Sequence, residues 1–163
     1  MATQVRTRRK KRAPKIELSS IFEPRAVFFL EESTRDEALT TMVNGMNVGN
    51  KEIFFQALLK REALVSTAIG SGIAIPHAKL EELDRFFLGI GIVKEKGIEW
   101  EARDNLPVRI IMLLGGPKGA ESQYLGLLSQ TTSMLRDHRL ELTCATTVEE
   151  VGKIISLQET YGS

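Results

Sequence analysis

From Ile16 onward the chain alternates short β-branched and aromatic runs with longer stretches of helical period, joined by glycine, proline and asparagine. Such alternation predicts a layered α/β domain, because each strand needs a helix to cover its apolar face. We expect one domain over residues 16–163, with a mixed sheet of about five strands flanked by helices on both faces. At 163 residues and 42% hydrophobic content the chain can bury one such core and is short for two. No internal repeat or low-complexity segment interrupts the pattern.

The elements follow from local chemistry. Residues 26–30, apolar and directly after Pro24, read as a first strand. Ser33-Thr34-Arg35-Asp36 reads as a helix start, with a capping hydroxyl and acids near the positive end of the dipole. That helix should end between Asn44 and Gly49, and Asn50 should cap the next, where Ile53, Phe54, Ala57, Leu58 and Leu64 form one apolar stripe. Residues 66–72 read as a polar, glycine-punctuated loop. Ile73-Ala74-Ile75 is a short strand that Pro76 ends, which leaves His77 where a strand stops. Residues 85–94 and 107–114 are longer strands, separated by a short Ile98-Glu99-Trp100 piece. After Gly119 a helix carries Tyr124, Leu127, Leu128, Thr131, Met134 and Leu135 on one face, and Thr147-Val148-Glu149-Glu150 opens the last helix as a capping box.

The charge is unevenly spread. Residues 1–15 hold seven of the 22 basic groups and no acid, leaving 15 basic against all 21 acidic groups, a net of −6, in the rest. A block of like charge with few apolar side chains should be disordered on its own. It is either a solvated leader or a contact for nucleic acid, an anionic surface or an acidic partner. The basic start is not followed by an apolar h-region, so export by that route is not expected. Cys144 is the single cysteine, which excludes an internal disulfide framework and a cysteine-rich metal cluster. The longest apolar stretches are about eight residues, too short to span a bilayer. A cytoplasmic protein without a membrane span is the expectation.

Histidine chemistry must rest on His77 or His138. A neutral imidazole is a competent nucleophile near pH 7, and backbone N–H groups of a glycine-rich loop can approach an anion. Phosphoryl transfer asks mainly for positioning and charge stabilisation, and Arg61 could supply a planar fork. An isolated histidine after a strand is more often structural or solvated, and chemistry alone does not decide for the functional role.

The stretch from Arg61-Glu62 through Ser66-Thr67 and Gly70-Ser71-Gly72 to Ile73-Ala74-Ile75-Pro76-His77-Ala78-Lys79 resembles the active-site signature of enzyme IIA domains of the phosphotransferase system, fructose/mannitol type. Asp104-Asn105-Leu106-Pro107-Val108 resembles a second family block. The resemblance implies a phosphotransferase in which His77 accepts a phosphoryl group from the phosphocarrier protein HPr and passes it to a protein partner. It further implies that Arg61 neutralises phosphate charge, that Ser66, Thr67, Gly70 and Gly72 line the same pocket, and that no metal or organic cofactor takes part. Where the family carries a second histidine, this chain has Tyr124, a hydroxyl that can donate or accept a hydrogen bond but cannot become cationic. Three roles follow as expectations: a stand-alone nitrogen-regulatory enzyme IIA, a sugar-transport component that passes phosphoryl to an enzyme IIB, or a regulatory binding module that is not phosphorylated.

The remaining singled-out residues read plainly. His138 is expected at the surface near a helix end, Cys144 buried or half-buried, and Glu81, Glu82 and Asp84 in a solvated turn. Trp100 and Tyr161 form no stacking ladder for single-stranded nucleic acid.

Overall fold

The computed structural model describes residues 14–161, with side chains through residue 157. Of the basic tail expected over residues 1–15, only Pro14 and Lys15 are among the described residues; the Tyr161 side chain also lies outside them.

A short helix α1 (Leu18–Ile21) and a 3-10 turn (Pro24–Ala26) lead into β1 (Val27–Leu30). Helices α2 (Arg35–Gly45) and α3 (Lys51–Leu64) follow, then β2 (Ala68–Gly70), β3 (Ile73–Ala74), β4 (His77–Leu80), β5 (Phe87–Val93) and β6 (Ile110–Pro117). Helices α4 (Glu121–Cys144) and α5 (Val148–Tyr161) close the chain. The mixed sheet has six strands, one more than expected, in the order β1-β5-β6-β3-β2 with β4 also on β6. β1 runs parallel to β5, β5 antiparallel to β6, and β3 and β4 both parallel to β6.

Strand alternation sorts the core into two layers. Ile110, Met112 and Leu114 of β6 face the layer that contains Leu127, Met134 and Leu135 of α4 and Ile155 of α5. Ile111 and Leu113 face the opposite layer, with Leu39 and Met42 of α2 and Phe54 and Leu58 of α3. Each fully buried side chain of this size contributes about 2 kcal/mol. Glycines on β5 let α2 and its C-terminal end approach: a Cβ on Gly89 would lie 2.6 Å from Met46 Sδ, and one on Gly91 2.9 Å from Met42 Sδ.

The capping chemistry is partly as expected. Thr34 accepts a hydrogen bond from the Glu37 N–H at 3.2 Å, and Thr147 accepts one from Glu150 N–H at 3.2 Å. Asn50 does precede α3, but with left-handed backbone (φ 55°) and no side-chain cap bond. The expected loop over residues 66–72 is instead a hairpin, β2 pairing antiparallel with β3. Its turn residues Ser71 and Gly72 both have positive φ, 58° and 76°, as a two-residue hairpin turn demands. Pro76 does not end the sheet at His77. It interrupts one line of pairing along β6, its carbonyl still accepting from Leu114 N–H at 3.0 Å, and the line resumes at His77. His77 therefore opens a strand. Among the described residues no helix is long and apolar enough to cross a membrane.

Candidate functional site

His77 sits where β4 begins, paired in register with Leu114 of β6. Its Nδ1 lies 2.7 Å from the Ile75 carbonyl oxygen. A carbonyl only accepts, so Nδ1 carries the hydrogen and Nε2 carries the lone pair. Burial holds the ring's pKa below the ordinary imidazole value; the Ile75 bond opposes this, and Arg61 adds to it. The ring is thus neutral and nucleophilic at pH 7.

A cleft of about 530 Å³ opens over His77, between the end of α3, β4 and the start of α4. Arg61 reaches it from the last turn of α3 and also donates through Nη1 to the Val65 carbonyl at 2.7 Å. Lys60, Lys79 and Lys118 line it too, against a single acid, Glu121. Its rim is apolar: Leu64 is 80% exposed and Leu125 62%.

Tyr124, in the first turn and a half of α4, forms the wall opposite His77, with ring centroids 5.9 Å apart. Only 4% of it is exposed, and its hydroxyl finds no hydrogen-bond partner among the described residues. Desolvation pushes the phenol pKa well above its usual value, so the hydroxyl keeps its proton. Lys79 Nζ lies 4.8 Å above the same ring and 2.6 Å from Glu121 Oε2.

The structure thus brings Arg61, His77 and Tyr124 together, but Ser66, Thr67, Gly70 and Gly72 do not line this cleft. Ser66 Oγ donates to the Glu101 carbonyl at 2.5 Å. Thr67 is buried, and both its N–H (3.1 Å) and its hydroxyl donate to the Glu62 carboxyl. At the hairpin turn the backbone N–H of Ser71, between Gly70 and Gly72, donates to Asp104 Oδ2 at 2.7 Å. The anion that the glycine loop holds is the chain's own carboxylate. This bond, with a second from Leu106 N–H, holds Asp104 below the usual carboxylate range.

Sequence reasoning gave no role to Glu62 or to Lys79. Glu62 is 5% exposed and ties Thr67 and Trp100 to α3, with Trp100 Nε1 donating at 3.2 Å. For Lys79 a signal existed: it stands two residues from His77 on one strand, hence on the same face. His138 stands at a kink within α4 where one helical segment gives way to the next (φ −122°), near a helix end as expected, and its ring Nδ1 lies 3.1 Å from Glu141 Oε1. Cys144 is exposed rather than buried, because Leu142 and Ala145 take the inward positions. Glu81, Glu82 and Asp84 are exposed, as expected. No group of three or more metal-ligating side chains converges among the described residues.

Residues 20–157 match the family described as "Phosphoenolpyruvate-dependent sugar phosphotransferase system, EIIA 2". A nitrogen regulatory protein of Bradyrhizobium diazoefficiens is 40% identical over 88 residues, 54% of this chain and 57% of that relative's own length. The chain thus spans little more than half of that relative. The crystal structure of the nitrogen regulatory protein IIA-Ntr from Neisseria meningitidis shares the fold with a TM-score of 0.79 at 23% identity, over 84% of this chain and 97% of the other. In the Escherichia coli complex of enzyme IIAMTL with phosphorylated enzyme IIBMTL, the matched chain gives 0.70 at 19% identity, over 83% and 96%.

Proposed function

The chain belongs to the EIIA type 2 family of the phosphoenolpyruvate-dependent sugar phosphotransferase system, and from that membership we propose that it is a phosphohistidine carrier charged by HPr at His77 Nε2. One observation carries the proposal: His77 Nδ1 donates to Ile75, which leaves the lone pair of Nε2 in a cleft where four cations outnumber one acid. In the transfer the Nε2–P bond forms as the donor's N–P bond breaks, and the ring keeps its Nδ1 proton. Arg61 supplies the planar fork against the phosphoryl oxygens and the Tyr124 hydroxyl a neutral donor. The exposed leucines on the rim support a protein, not a small molecule, as donor and acceptor.

The 40% identity to a nitrogen regulatory protein favours a regulatory carrier that acts on protein targets in the cytoplasm. The likeness to the enzyme IIA seated on enzyme IIB supports a second reading, transfer to an enzyme IIB for sugar uptake. Intact mass after incubation with phosphoenolpyruvate, enzyme I and HPr, beside His77→Ala, tests the carrier step. A phosphoryl adduct on the parent alone is expected. Its absence, under conditions that charge a control enzyme IIA, leaves a binding module that is not phosphorylated. Capture of partners with both forms then separates regulation from transport.

A further inference from the structure

We infer that Lys79 is a second ligand of the phosphoryl group on His77, held on Glu121 until that group arrives. The inference rests on the carrier reading above.

His77 and Lys79 are alternate residues of β4, so both side chains leave the same face of the strand. Both meet one ring: Tyr124 lies 5.9 Å from the His77 centroid and 4.8 Å beneath Lys79 Nζ. Tyr124 offers a hydroxyl and no charge. Lys79 stands beside it with an ammonium of three donors on a flexible four-carbon stem. In the structure that ammonium is engaged by Glu121 Oε2 at 2.6 Å, an acid 60% exposed at the first turn of α4.

A phosphoryl group brings about two negative charges at neutral pH, against one on Glu121. The stronger anion draws Lys79 across the face of Tyr124, and water takes over the exposed Glu121. The charged groups on the cleft are then Lys60 and Arg61 from α3, Lys79 from β4, Lys118 from the loop after β6, and Glu121 from α4. The switch has an outward consequence. Once Lys79 leaves, an uncompensated carboxylate appears four residues before exposed Leu125, so a partner docking on that rim meets a different surface in the two states.

The test charges the full-length protein with phosphoramidate, which needs no protein donor, and follows the phosphohistidine resonance by ³¹P NMR across pH. His77→Ala identifies the resonance. A cation against the phosphoryl oxygens favours their second ionisation, so Lys79→Met should raise its midpoint by about one pH unit. Lys79→Arg, which keeps the charge, should restore it. Glu121→Gln should lower the midpoint, and this effect should shrink once Lys79 is methionine. A midpoint unmoved in Lys79→Met, or a Glu121→Gln effect equal with and without Lys79, overturns the inference and leaves the carrier reading intact. A parent without a His77 phosphohistidine resonance overturns both.

Discussion

Trp100 Nε1 donates to Glu62 Oε2 at 3.2 Å, and through that carboxyl the loop before β6 is fastened to the α3 turn that carries Arg61. The same carboxyl accepts the Thr67 N–H and hydroxyl. The Thr67 carbonyl accepts from Ile75 N–H at 3.0 Å, and the Ile75 carbonyl accepts from His77. A chain of hydrogen bonds thus runs from a buried carboxyl to the acceptor ring. Glu62→Ala strands three buried donors and should cost roughly 3 kcal/mol in urea unfolding, whereas Glu62→Gln keeps an acceptor and should cost about 1 kcal/mol. Equal losses in the two variants would show that the carboxyl does not organise the site.

Burial disfavours the charged imidazole, so folded His77 takes up a proton at lower pH than the unfolded chain does. Between the two values the unfolded state binds more protons, and stability falls as the pH drops below about 6.5 toward the folded value. Above 6.5 the ring is neutral in both states and the contribution is constant. An NMR titration of His77 should give a midpoint below 6.5, and phosphoryl acceptance should persist to that lower pH. A midpoint at or above 6.5 contradicts the burial seen at β4.

Arg61 combines a bond to the end of its own helix, 2.7 Å to the Val65 carbonyl, with a place on the cleft. Arg61→Lys keeps the charge and loses the fork. Phosphoryl acceptance from HPr should slow about tenfold. Unfolding free energy should move by less than about 1 kcal/mol, since the residue is not buried. A stability loss with an unchanged transfer rate would reduce Arg61 to a helix cap.

What could be read from the residues was what local pattern determines. The Thr34 and Thr147 caps, the two longer strands expected over residues 85–94 and 107–114, and the placing of His77 beside Arg61 and Tyr124 all depend on apolar runs, capping or a family spacing. What was misread depended on partners distant in sequence. The segment around Ser71 looked like a free phosphate cradle, because Asp104, the carboxylate that occupies its amide, lies 33 residues away. Pro76 looked like a strand end, because only pairing with β6 reveals that the line resumes one residue later. Asn50 had the right type for a cap, but its left-handed backbone turns the side chain from that role.

Tyr124 lies between Phe86, which stacks on it with centroids 6.4 Å apart, and the Lys79 ammonium, yet its oxygen is buried without a partner among the described residues. An unsatisfied buried hydroxyl is a cost in the uncharged protein. Tyr124→Phe should therefore leave stability unchanged or raise it by up to about 1 kcal/mol. If the hydroxyl donates to the phosphoryl group, the same variant should accept phosphoryl about fivefold more slowly, the worth of one neutral hydrogen bond near 1 kcal/mol. Tyr124→His restores a group able to carry charge there and should speed transfer. Stopped-flow phosphorylation by HPr alongside thermal unfolding separates these effects. A Tyr124→Phe protein that is less stable and transfers at the parent rate would assign the hydroxyl to the fold and remove it from the site.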